Sequence, residues 1–112
     1  MKSYLGKTVD IRIDRPIGST HPKYPGLSYP VNYGYIPNVL GGDGEELDVY
    51  LLGVNEPVTE YKGKIIGIAH REDDVEDKLV AASVDLTFTK EHIEQAIRFQ
   101  EKYYKTTVEV LK

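Results

Sequence analysis

Two short windows, residues 43–48 (DGEELD) and 72–77 (EDDVED), hold nine of the eighteen carboxylates in the chain. Like charges a few ångströms apart raise one another's pKa, so crowded acids are unfavourable unless a cation shares them. Every candidate donor in the two windows is oxygen. Cysteine is absent, and the three histidines, His21, His70 and His92, are scattered. That donor set favours a hard divalent cation such as Mg²⁺ or Mn²⁺. One isolated acidic run is usually a solvated loop. Two in so short a chain shift the balance towards metal binding.

Cations and hydroxyls lie close to these windows in sequence. Lys78 follows the second one, where it serves either as a neutralising ion pair or as a point charge on a phosphate. The run YPVNYGYIP places Tyr29, Tyr33, Tyr35 and Asn32 within nine positions. The tyrosines fit a core with hydroxyls turned to backbone, and Tyr33 equally fits a hydrogen bond to an anionic oxygen. Arg15 and Lys23 upstream, and Tyr103, Tyr104 and Lys105 downstream, complete the candidates. Other chemistries are disfavoured. GGDG lacks the Gly-Lys-Ser/Thr ending of a phosphate-binding loop, and there is no dinucleotide fingerprint. DGEELD has the wrong glycine position for an EF-hand. The histidines are too few for zinc, and Ser19 and Ser83 have no suggestive histidine spacing.

The elements that must position these groups read mostly as short strands. Alternation marks strands at 9–13 and 47–52, and apolar runs mark 64–70, 79–84 and 107–111. Residues 15–25, with three prolines, read as a loop, and Tyr61-Lys62-Gly63 as a turn. One helix is expected over 90–104, with Thr89 as N-cap and Ile93, Ala96, Ile97, Gln100 and Tyr104 on one face. The fold class expected is mainly β within α+β: a small OB-like antiparallel β-barrel with one C-terminal helix packed against it. Asp48 should point opposite Leu47 and Val49, with Asp43 and Glu45 in the preceding glycine-rich turn and Glu46 towards solvent. The second window becomes a hairpin loop able to swing carboxylates to the same centre.

Length and composition agree with one domain over 1–112. Hydrophobic residues make up 40% and charged residues 29%, an ordinary globular balance. No apolar stretch approaches the ~20 residues of a membrane span, and MKSYLGKTVDIRI lacks the apolar core of a signal peptide. The expected location is cytoplasmic. A net charge of −4 argues against nucleic acid or an anionic membrane as partner. Outside the two windows, however, nine acids face fourteen Lys and Arg. That surplus of positive charge can attract a small anion.

The stretch YPVNYGYIPNVLGGDGEELDVYLLG resembles the core of the family I soluble inorganic pyrophosphatases, whose signature is D-x-D-P-x-D after a YPxNYGYIP-like run. VDIRIDRPIGSTHPKY is similar to that family's strand and loop ending in a phosphate-binding lysine. The acidic loop before KLVA and the segment FQEKYYK extend the likeness from about Val9 to Lys105. The resemblance implies a small barrel with a flanking helix, Mg²⁺ dependence with Mn²⁺ or Co²⁺ as other ions, pyrophosphate as substrate and a homo-oligomer.

Carried over by position, Asp43, Glu45 and Asp48 would form the first metal cluster, with Glu45 as the water-activating carboxylate. Glu72 and Asp77 would complete that cluster. Lys23, Tyr33, Lys78, Tyr103 and Lys105 would receive phosphate oxygens. The implied reaction is hydrolysis by metal-activated water, two ions about 3.5–4 Å apart lowering the water's pKa and clamping attacking and leaving oxygens.

The sequence departs from the family at several points. Glu45 stands for an aspartate and Glu46 for the motif's proline. The hairpin that carries an arginine between Lys23 and Tyr29 is missing. An ungapped second loop uses Glu76 and puts Arg71 where a carboxylate belongs. These departures keep an alternative open, a non-catalytic metal and phosphate-binding module on the same scaffold. A barrel stacking single-stranded nucleic acid on Tyr29, Tyr33 and Tyr35 is a third reading, disfavoured by net charge.

Overall fold

The computed structural model describes residues 4–40, 46–72 and 77–110. Its elements are β1 (Thr8–Arg15), β2 (Asn32–Leu40), β3 (Glu46–Leu52), β4 (Glu60–Arg71), β5 (Lys78–Ala82), α1 (Lys90–Glu101) and β6 (Thr106–Val110). Strand order is β1-β2-β3-β5-β4-β6, and a further β1–β4 pairing closes the first five into a barrel. β6 extends the sheet beyond β4. This is the small barrel with one helix that the alternation predicts.

β4 makes the closure possible. Its first half pairs with β1 (Ile11 opposite Tyr61, Val9 opposite Gly63) and its second half with β5 (Ile68 opposite Leu79). A register shift between Ile65 and Gly67 lets the strand bend from one partner to the other. Tyr61-Lys62-Gly63, expected as a turn, is therefore strand. The expectation of an antiparallel barrel holds for four of the five ring pairings, but β3 and β5 run parallel. The reason is topological: directions cannot alternate all the way round a closed ring of five.

β2 carries no clear period-two signal because glycine, proline and asparagine interrupt it. Each has a place. At Gly34 an added Cβ would stand 1.8 Å from the Arg12 carbonyl oxygen, so only glycine allows β2 to approach β1. Pro37 sits in the register shift between Ile36 and Leu40, where a missing ladder donor is tolerated. Buried Asn32 accepts from the Ile17 N–H at 3.0 Å and donates to the Val54 and Glu56 carbonyls at 3.1 and 3.0 Å. It pins two loops to the start of β2.

Two apolar layers follow from strand alternation. Ile11, Ile36, Leu47, Val49, Ile68 and Leu79 belong to the cluster inside the barrel. On the outer face Tyr33, Tyr50, Leu52, Ile66 and Val80 meet Ile93 and Ile97 of α1. Thr89 caps the helix by accepting from the His92 N–H at 3.1 Å. α1 stops at Glu101 rather than 104, because the chain tightens into i→i+3 bonds from the N–H groups of Tyr103 and Tyr104 to Gln100 and Glu101. β5 likewise ends at Ala82 rather than 84. Among the described residues no helix is long and apolar enough to cross a membrane.

Candidate functional site

A cleft opens on the outer face of the barrel, between the loop after β1, strands β2, β3 and β5, and the turn that follows α1. Its lining includes Arg15, Lys23, Tyr33, Asp48, Lys78 and Tyr103. Five of these six carry a cation or a hydroxyl. Asp48 is the one acid among them, so the cleft offers an anion several cations and hydroxyls and a single carboxylate.

The central contact comes from the parallel pairing. Val49 opposite Leu79 sets the preceding residues, Asp48 and Lys78, side by side on the outer face, and the Lys78 Nζ lies 2.5 Å from Asp48 Oδ2. Tyr33, one strand over, donates its hydroxyl to the same oxygen at 2.7 Å. The Lys78 side chain is only 5% exposed. Burying an ammonium is unfavourable unless an anion is close, so Asp48 holds Lys78 in place, and of the two readings of Lys78 from sequence the ion pair is the one the structure contains.

Arg15 closes one wall. Its Nη1 donates to the Tyr29 hydroxyl at 2.8 Å, and its guanidinium carbon lies 5.7 Å from the ring centroids of both Tyr29 and Tyr33. Behind it runs a buried relay. Tyr29 donates to Gln100 Oε1 at 2.9 Å, Gln100 Nε2 donates to the Tyr50 hydroxyl at 2.7 Å, and Tyr50 donates to Glu101 Oε2 at 2.6 Å. Arg71 meets Glu101 with two bonds of 2.9 and 2.6 Å and lies 3.8 Å from the Tyr104 ring centroid. Burial, then Glu101, pushes the Tyr50 phenol well up. The relay fixes the end of α1, and with it the cleft wall.

Positive charge dominates locally. Slight burial, then Arg15 and Lys23, pulls the His21 imidazole below its ordinary value. Acids gather just beyond the Arg15 side. Burial lifts the Asp14 carboxyl; Arg15 lowers it, while Asp48 and Glu46 raise it further. These acids offer oxygen only, which suits a hard divalent cation in kind. Among the described residues no group of three His, Cys, Asp or Glu side chains stands ready to hold a metal. Any such centre at Asp48 draws on further carboxylates.

The residues singled out from sequence divide into three groups. Lys23, Tyr33, Asp48, Lys78 and Tyr103 come together along the cleft. Asp43 and Glu45 lie outside the described residues, as do residues 73–76 of the second acidic window. Glu72, Asp77 and Lys105 are not in the cleft lining. Asp77 Oδ2 is 3.0 Å from His70 Nδ1, whose other ring nitrogen is 2.9 Å from Glu109. The Lys105 carbonyl accepts from the Glu72 N–H at 2.8 Å. Glu46 is exposed, as expected. Residues not singled out as site groups include Asp14, Gln100 and Glu101, which isolated positions in a strand or helix cannot reveal.

A family model described as inorganic pyrophosphatase matches residues 6–110. The chain is 33% identical over 66 residues to an inorganic pyrophosphatase of Helicobacter pylori, covering 55% of this chain and 38% of that protein. It is 37% identical over 75 residues to one of Saccharolobus solfataricus, covering 64% of this chain and 40% of that protein. The chain thus spans about two-fifths of the length of the curated relatives it matches. A crystal structure of inorganic pyrophosphatase from Ehrlichia chaffeensis superposes with a TM-score of 0.72 at 18% identity, over 95% of this chain and 87% of that one. One from Neisseria gonorrhoeae gives 0.63 at 23%, over 96% and 82%. Likeness at that identity shows the fold.

Proposed function

The chain belongs to the inorganic pyrophosphatase family, and from that premise we propose that it hydrolyses inorganic pyrophosphate to two phosphates with the help of a divalent cation. The observation that supports this most is the convergence of Lys78 and Tyr33 on Asp48 in a cleft whose lining also includes Arg15, Lys23 and Tyr103. Pyrophosphate is a polyanion whose attack by water brings oxygen against an already negative phosphorus. Charge must be neutralised before chemistry can proceed.

In this reading Lys23, Lys78, Tyr33 and Tyr103 of the cleft bind phosphate oxygens, and Lys105, outside its lining, would have to reach in to join them. Tyr33 would turn its single hydroxyl proton from Asp48 to a phosphate oxygen, a hydrogen bond that adds no charge. Asp48, Asp43 and Glu45 would hold the cation, Mg²⁺ first and Mn²⁺ or Co²⁺ as alternatives, with Glu72 and Asp77 as the further carboxylates. When bound, the ion supplies Lewis-acid polarisation of phosphoryl oxygen and a more acidic water. Glu45 takes a proton from the attacking water as general base. The substrate is the free diphosphate, and the assembly is a homo-oligomer.

Phosphate release from pyrophosphate, measured with each of the three ions, tests this directly. The wild-type chain should turn over and Asp48→Asn should lose roughly 100-fold or more. Activity that survives that substitution, or none with any divalent ion, overturns the proposal. The second reading, a binding module without turnover, is favoured by the motif itself, in which Glu45 and Glu46 stand where the family has aspartate and proline. Calorimetry separates the two, because tight pyrophosphate binding with no phosphate released identifies the module.

A further inference from the structure

Arg15 is the residue of this cleft whose position the alternation of β1 does not predict. Ile11 and Ile13 face the interior of the barrel, and period two would send Arg15 the same way. The β1–β2 register shifts between Ile13 and Arg15: Ile13 stands opposite Gly34, and Arg15 opposite Tyr33. One extra residue in a strand re-aims the side chain that follows it. Here that residue is Asp14, and the shift delivers Arg15 to the outer face beside Tyr33, in the cleft.

The guanidinium is held there in advance. One donor engages the Tyr29 hydroxyl, and Tyr29, fully buried, rests on Gln100. Among the described residues Arg15 makes no ion pair, whereas Lys78 is engaged by Asp48. Guanidinium carries five N–H donors in a planar fork that matches two oxygens of one phosphoryl group. One donor on Tyr29 leaves the fork's capacity for an anion intact. We infer that Arg15 binds a phosphoryl group of the diphosphate through its guanidinium fork, with the strand irregularity at Asp14 as the device that positions it and Tyr29 as its support. This rests on the reading of the cleft as a diphosphate site.

Calorimetric binding of methylenediphosphonate, which cannot be hydrolysed at its bridge, tests Arg15 independently of turnover. Wild type, Arg15→Gln, Arg15→Lys and Tyr29→Phe are compared with Mg²⁺ present. Arg15→Gln should weaken binding roughly 10- to 100-fold, the range for hydrogen bonds to a charged group. Arg15→Lys should recover part of the loss, since it keeps the charge and loses the fork. Tyr29→Phe should weaken binding less than Arg15→Gln. Equal binding by wild type and a folded Arg15→Gln overturns the inference. If Arg15→Gln does not fold, Arg15→Lys decides, and wild-type affinity in that variant overturns it. A wild type that binds the diphosphonate but releases no phosphate from pyrophosphate would refute hydrolysis while leaving the Arg15 comparison fully readable.

Discussion

Glu101 is a carboxylate sealed from solvent, 4% exposed, and its surroundings explain Arg71. Burial drives its carboxyl upward, but the bonds from Arg71, Tyr50 and Thr106 overcome that and hold it below the ordinary glutamate range. Arg71 stands where an ungapped alignment of the second acidic loop expects a carboxylate, and its partner lies thirty residues away. No local spacing announces such a pair. Removing one half of a buried ion pair is far more damaging than removing both. Arg71→Met should therefore destabilise the protein by about 3–5 kcal/mol, and adding Glu101→Gln should restore much of it. Urea midpoints of the two single variants and the double variant give the answer; a double variant no more stable than Arg71→Met would refute it. The sign with pH follows from the depressed carboxyl. This stability is present above the unfolded-state pKa and is lost as pH falls through the lower folded value.

Strands were legible where apolar residues alternate, as from Val9 to Ile13, or run together, as in the fully buried β5. In β3 only Asp48 breaks the apolar run, because Tyr50 and Leu52 are buried in the cluster that α1 joins, while Thr89 with Glu91 and the Ile93, Ile97 spacing marks the helix. β2 was not legible as a strand, because its glycine, proline and asparagine answer to close approach, an irregular register and loop pinning. Nor was the tie that holds β6, an edge strand, to the barrel. His70 on β4 stands between Asp77, just before β5, and Glu109 on β6, at 3.0 and 2.9 Å. Neutral imidazole donates from one nitrogen only; protonated, it donates to both acids. Burial alone would lower the His70 pKa, but Glu109 and Asp77 outweigh it and the net direction is up. A raised histidine stabilises the fold fully below the unfolded-state pKa and ceases to as pH rises through the folded value. In chelator-treated protein the stability difference between wild type and His70→Gln should shrink from pH 6 to pH 8. A constant difference across that range would disprove the clamp.

At the scale of the whole chain, the barrel follows from its strands, but its parallel pairing does not follow from any one of them. Period-two patterns specify faces, not neighbours, and the pairing of β3 with β5 becomes necessary only once five strands close. That closure is also what makes the site, since Asp48 and Lys78 are adjacent only across the parallel pair. The acidic motif could be read along the chain because its donors are sequence neighbours. Arg15, Lys23 and Lys78 could each be singled out along the chain, but that they line one wall could not, because the loop after β1 meets the start of β5 only in the folded barrel. Among the described glycines the tightest approach is at Gly34, where the Arg12 carbonyl oxygen occupies the space of a Cβ. Backbone cannot yield there as a flexible side chain would, because β1 is held on its far side by β4. Gly34→Ala should accordingly cost several times the ~1 kcal/mol of an ordinary strand substitution. It should also loosen the cleft, because Arg15 and Tyr33 meet across the same pair of strands. The measurement is native-state hydrogen exchange of the β1 and β2 amides in wild type and variant. Protection lost from these two strands while α1 keeps its own is the expected result, and unchanged protection at unchanged stability would show that the strands can separate without consequence.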